Sequence, residues 1–147
     1  IVLTKGIGTI WFEAHYMYRH KLEKFAEQFD GVDVKFRCGI ESFDGALREL
    51  WKKGVSSDVT VEDVAKYFHG ACLLCCTEAD SKERISRDIA LAEQYFEYAS
   101  VNVFCENTTH VRRDNNLTKW FLKEVYPELK QSKKIEILIN NTDLGVG

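Results

Sequence analysis

The chain has 147 residues, enough for one domain that buries roughly two-thirds of its unfolded surface, with 45% hydrophobic and 29% charged residues and a net charge of −3. That balance gives no electrostatic case for nucleic acid or an anionic membrane. No run of about 18 apolar residues is present to span a bilayer, and one proline with nine scattered glycines leaves no room for a disordered linker.

Strand and helix signals alternate along the chain. Gly8 to Ala14 is a short apolar run suited to a strand, and Leu22, Phe25, Ala26 and Phe29 then recur at helical spacing until Gly31. Val32, Val34, Phe36 and Cys38 alternate with Asp33, Lys35 and Arg37, the period of a second strand. Asp44 can cap a helix carrying Leu47, Leu50 and Trp51, and Thr60 with Asp63 forms a capping-box pattern before Val61, Val64, Ala65 and Phe68. Gly70 to Cys76 is continuously apolar, as expected of a strand covered on both faces.

Ser81 opens the longest helix, with Ile85, Ile89, Ala92 and Phe96 along one stripe, before a strand over Val101 to Cys105. Asp114 can cap a helix holding Leu117, Phe121 and Val125 that closes near Pro127, and Ile135 to Ile139 is the last strand. The order β-α-β-α-α-β-α-β-α-β predicts α/β architecture with parallel strands. Five such strands make either an open doubly wound sheet or part of a TIM-like barrel. With Ile1 at its start and both ends looking clipped, residues 1–147 read as a single domain taken from a larger barrel.

Five cysteines stand at 38, 72, 75, 76 and 105. An odd count in mostly apolar strand runs argues for buried, reduced thiols and a cytoplasmic setting. The match Cys72-x-x-Cys75 lies inside a strand, away from the turn or helix start that activates redox pairs, so packing is its simpler reading. Asn-x-Ser/Thr matches at Asn107, Asn116 and Asn140 read as chance without a secretory segment.

In parallel α/β folds ligands bind beyond the carboxyl ends of the strands. Here those ends read Glu13-Ala14-His15, Glu41-Ser42, Thr77-Glu78, Glu106-Asn107-Thr108 and Asn140-Asn141-Thr142-Asp143. Polar strand ends also serve plain solvation, but five together favour a polar pocket at one rim. Glu41 and Ser42 suit a diol such as a ribose, or else simply lead the next helix beside Asp44. Glu13, His15 and His20 offer metal-ligand types, although no third ligand is placed to complete a set.

As an ordered set, Trp11-Phe12-Glu13-Ala14-His15, Phe36-Arg37-Cys38-Gly39-Ile40-Glu41-Ser42-Phe43-Asp44, Arg48-Glu49, Asp88-Ile89, Val101-Asn102-Val103-Phe104 and Ile139 through Gly147 resemble the later part of radical S-adenosylmethionine (radical SAM) proteins. The resemblance implies strands three to six of a (β/α)6 partial barrel, then one further strand. It implies cofactor contacts at Glu41, Ser42, Asn107 and Glu13 and substrate contacts at His15, Asn140 and Asp143. The implied cofactors are S-adenosylmethionine and a [4Fe–4S] cluster. The family's Cys-x-x-x-Cys-x-x-Cys triplet and Gly-Gly-Glu stretch do not occur in this sequence.

The implied reaction is reductive cleavage of S-adenosylmethionine to a 5′-deoxyadenosyl radical that abstracts a substrate hydrogen; this chain by itself is expected to be inactive. The fifth strand's usual glycine and Gly-Gln/Glu-Thr turn is replaced by Cys75-Cys76-Thr77-Glu78-Ala79-Asp80. Two other readings stand beside this one: a metal-assisted hydrolase using Glu13, His15 and Asp143, and a non-enzymatic ligand-binding α/β domain. The partners expected are a small-molecule cofactor and a substrate, with no nucleic acid and no membrane. A half barrel would also expose an unpaired strand edge and an apolar inner face, so self-association is expected.

Overall fold

The computed structural model describes residues 6–140. Its elements follow the expected order: β1 (Thr9–Ala14), a 3-10 helix (Tyr16–Lys21) running into α1 (Leu22–Ala26), β2 (Asp33–Glu41), α2 (Gly45–Leu50), α3 (Val61–Ala65), β3 (Gly70–Cys75), α4 (Lys82–Tyr95), β4 (Tyr98–Val103), α5 (Asn115–Trp120), a π-helical turn (Phe121–Val125), α6 (Tyr126–Leu129) and β5 (Ile135–Leu138). All four pairings are parallel, and the strands lie in strictly sequential order in one open sheet. A doubly wound sheet reverses its order at a switch point. No reversal occurs, so the crossovers, right-handed by the general rule, stack their helices on one face as in part of a barrel.

The helix starts are written locally. Asp44 accepts the N–H groups of Ala46 and Leu47, Thr60 and Asp63 close a capping box, Ser81 accepts from Arg84 N, and Asp114 accepts from Asn116 and Leu117 N. Several boundaries differ from the sequence reading, three of them by more than strand-end fraying. The first helical stretch begins earlier, as a 3-10 helix capped by His15. β4 starts at Tyr98, and since Ala99, Ser100 and Val101 are all buried, its start leaves no clean period in the sequence. Pro127 does not end the last helix, because the wide π-helical turn before it accommodates a ring with no N–H, and α6 starts there.

The core lies between the sheet and its helices. Phe36, Cys38, Ile40, Ala71, Leu73, Val101 and Val103 from the strands meet Leu22, Val61, Val64, Ile85, Ile89, Ala92, Leu117 and Phe121. Burying each large side chain there contributes about 1.5–3 kcal/mol. Strand alternation turns the intervening residues to the other face. That face carries Trp11, Glu13, Lys35, Arg37, Cys72, Tyr98 and Glu136, joined by Trp11–Tyr98 and Lys35–Trp11 contacts and by Arg37–Glu13 and Tyr98–Glu136 pairs. The expected apolar inner face is therefore corrected: it mixes the charged Glu13, Lys35, Arg37 and Glu136 with Trp11, Cys72 and Tyr98. No helix among the described residues is long and apolar enough to cross a membrane.

Candidate functional site

Because the strands run parallel, their carboxyl ends share one rim. Glu13 stands one residue before the end of β1, on the uncovered face, opposite Arg37 in the β1–β2 register. Its Oε2 lies 3.3 Å from Arg37 Nε and accepts from Cys72 Sγ at 3.3 Å. To reach β3 the carboxylate crosses over β2 at Gly39, where an added Cβ would sit 3.2 Å from Oε1. Glycine at 39 is thus what lets this acid lie flat across the mouth.

Glu41 closes β2 at a register shift, with φ +66, in the left-handed region that non-glycine residues seldom adopt. Such strain gathers at functional sites, where the surrounding structure holds it. The carboxylate of Glu41, with 19% of its side chain exposed, accepts from Lys53 Nζ at 2.9 Å. Ser42 follows Glu41 and, in step with Phe36, Cys38 and Ile40, points down into the protein. Its hydroxyl is 0% exposed, donates to Asp88 Oδ2 at 2.6 Å and accepts from Asp44 N at 3.0 Å. That hydroxyl is thus engaged below the rim.

Beneath the rim, Asp88 pairs with Arg84 at 2.9 Å, and Arg84 also pairs with Asp80 and donates to Leu74 O. Asp80 in turn accepts from Thr77 N at 2.9 Å, so one buried network ties the loops after β2 and β3 to α4. Burial raises the Asp80 carboxyl above its ordinary range against the opposing pull of Arg84. Arg48, buried beside this network, donates to the carbonyls of Ser42, Ser56 and Val59 and pins the loop after α2.

At the end of β3, Cys76 takes φ +69, where the resemblance leads one to expect glycine. The left-handed turn brings two neighbouring sulfurs to 3.7 Å. Burial pushes the Cys75 thiol well up, while the hydrogen bond with Cys75 pulls the Cys76 thiol down. Burial likewise pushes Cys38 and Cys72 to about 12. All five cysteines are free thiols and four are buried, as their apolar setting suggested.

The remaining expected residues divide. At His15, Nδ1 accepts from Met17 N at 3.1 Å and Nε2 lies 2.6 Å from Lys53 O. Asn107 is exposed in the loop after β4 and turns its Oδ1 onto Thr109 N at 2.9 Å. That loop is tied to the one after β3 by Glu78 N to Arg112 O and Asp114 N to Cys76 O. Asn140 is exposed beyond β5, and Asp143 lies outside the described residues. Arg37, Lys53 and Cys72 are site residues the sequence reading missed. A charged residue alternating into an apolar strand was the available signal for Arg37; nothing local marks the others.

The donor set fits an adenosyl group better than a metal. Two carboxylates at one rim, Glu41 half-enclosed and Glu13 more open, are acceptors of the kind a ribose diol or a ring N–H needs. For the cluster the residues do not fit: among the described residues no group of three or more His, Cys, Asp or Glu could hold a metal ion. Of the hydrolase set Glu13, His15 and Asp143, the imidazole is engaged on both nitrogens and Asp143 lies outside the described residues.

No protein-family model matches the chain, and no curated protein matches it. A solved structure does: a queuine lyase from Clostridium spiroforme bound to SAM and queuine, 33% identical, with a TM-score of 0.88 over 100% of this chain. The chain spans 63% of that enzyme's chain. The resemblance to radical SAM proteins read from the residue pattern is thereby borne out over the whole chain, together with the α/β partial-barrel fold it implies.

Proposed function

We propose that this chain supplies the later barrel strands of a radical SAM enzyme, which bind S-adenosylmethionine and a small, nitrogen-rich substrate of the kind its structural neighbour holds. The observation that carries this reading is the placement of Glu13 and Glu41 near the carboxyl ends of two neighbouring parallel strands, the second in a left-handed turn and braced by Lys53. Glu41 takes the ribose hydroxyls, Glu13 faces the reacting end of cofactor or substrate, Asn107 lies toward the adenine, and Asn140 and Asp143 belong to the substrate side. S-Adenosylmethionine, when bound with an iron–sulfur cluster, supplies the reactive chemistry; this chain contributes binding, orientation and shielding from water. The cluster's thiolates, which these residues cannot provide, would come from a part of the protein outside this chain.

The test is binding of S-adenosylmethionine to the intact protein. Glu41→Ala removes a charged acceptor, and losing such a hydrogen bond costs about 1.5–3 kcal/mol, or roughly 10- to 150-fold in affinity. Equilibrium dialysis with labelled S-adenosylmethionine reads that loss. Unchanged affinity in Glu41→Ala would remove this reading of the rim.

A further inference from the structure

We infer that His15 is a positioning residue for the cofactor site: its imidazole fixes the turn that carries Lys53 and thereby aims the Glu41 carboxylate. The inference rests on the reading of Glu41 given above and concerns what holds that acid in place. Three contacts make the chain of support. Met17 N–H donates to Nδ1 at 3.1 Å. Nδ1 is then an acceptor, so the ring's proton is on Nε2, which donates to Lys53 O at 2.6 Å. Lys53 Nζ in turn donates to Glu41 Oε1 at 2.9 Å.

The turn being held is unusual in itself. Lys52 (φ +54) and Gly54 (φ +68) both take left-handed backbone on either side of Lys53. A Cβ on Gly54 would stand 3.9 Å from the imidazole carbon and nitrogen, so the ring packs closely against this turn. A left-handed lysine is held by its surroundings rather than by its own preference. His15 supplies that hold from the end of β1, where it also caps the following 3-10 helix. One side chain thus joins the first rim element to the one that braces the second.

The two ring nitrogens do separable jobs, and this allows a test that a merely structural role would fail. Asparagine at 15 places its oxygen near Nδ1 and keeps the cap, but is too short to reach Lys53 O. Glutamine reaches Lys53 O with its amide N–H and gives up the cap. The measurements are the dissociation constant of S-adenosylmethionine for the intact protein, by equilibrium dialysis, and the thermal midpoint by circular dichroism.

In His15→Ala both should worsen, affinity by about fivefold, the worth of one ordinary hydrogen bond. His15→Asn should restore the midpoint and leave the affinity low, and His15→Gln should do the reverse. In a Lys53→Met background, His15→Ala should cost no further affinity, because the tether then has nothing to aim. Restoration of both quantities by His15→Asn, or additive losses in the double variant, would overturn the inference. If the unsubstituted protein binds S-adenosylmethionine and neither His15→Ala nor Lys53→Met alters it, the tether alone fails. If the unsubstituted protein binds none, the reading of the rim fails and takes the tether with it.

Discussion

The two faces of this sheet are made by the same strands and do opposite things. On the helix-covered face Phe36, Cys38 and Ile40 of β2 are buried among apolar neighbours; one residue away in each case, Lys35 and Arg37 hold partners of opposite charge on the uncovered face and Glu41 holds Lys53 at the strand's end. The first face contributes folding free energy. The second carries charges whose mutual pairing contributes little to stability near solvent, about 0–1 kcal/mol for an exposed pair. Charges kept where they add so little to stability are what a binding surface requires, and the contrast between neighbours is the clearest mark of function in the chain.

Substitution on the two faces of one strand tests that contrast most severely. Ile40→Ala empties a fully enclosed site and should lower stability by about 2–5 kcal/mol in urea unfolding. Arg37→Ala, on the opposite face and three residues earlier, should move the same midpoint by less than about 1 kcal/mol. Equal losses would mean that both faces are core, and the division drawn between them would be wrong.

Thiol reactivity sharpens the comparison next. Cys38 lies on the covered face and Cys72 on the uncovered one, yet burial raises both from 9.0 to about 12. The thiolate fraction near pH 8 is then about a thousandfold below that of an ordinary cysteine, and alkylation of the folded protein should be slow at both. Mass spectrometry after iodoacetamide should find Cys105, the partly exposed thiol, modified before either. Rapid labelling of Cys72 would show that the uncovered face opens deeper than the rim.

The smallest effect lies at the α3 cap, far from the rim. Thr60→Ala should cost about 1 kcal/mol at neutral pH. The hydrogen bond from Lys66, followed by those from the Thr60 backbone and hydroxyl, holds the Asp63 carboxyl at about 2, below its ordinary value. A depressed carboxyl stabilises the fold above the ordinary carboxylate range and loses that contribution as pH falls through about 2. The capping box should therefore persist through mild acid, with the difference between Thr60→Ala and the parent protein unchanged from pH 7 to pH 5. S-Adenosylmethionine affinity should not respond to this substitution at all.

What was legible in the residues follows the range of the interactions. Asp44, Thr60 with Asp63, Ser81 and Asp114 cap helices through hydrogen bonds two or three residues away, so their roles are written in the local sequence. Strand order was readable only as an alternative, because pairing is long-range and a single series of β-α units serves both open and barrel sheets. The rim acids Glu13 and Glu41 were found by their place at strand ends. The partners of Ser42 and His15 were not legible for a physical reason: Asp88, 46 residues on, takes the Ser42 hydroxyl, and a carbonyl 38 residues away meets the His15 ring. Lys53, Arg37 and Cys72 join the site through partners 12 to 59 residues distant, a separation no local pattern encodes.

The most direct test is a crystal structure of the intact protein with S-adenosylmethionine bound. The ribose hydroxyls should lie within hydrogen-bonding distance of the Glu41 carboxylate, on the face that bears Glu13 and Arg37. An adenosyl group seated elsewhere, with Glu41 still paired only to Lys53, would contradict the assignment.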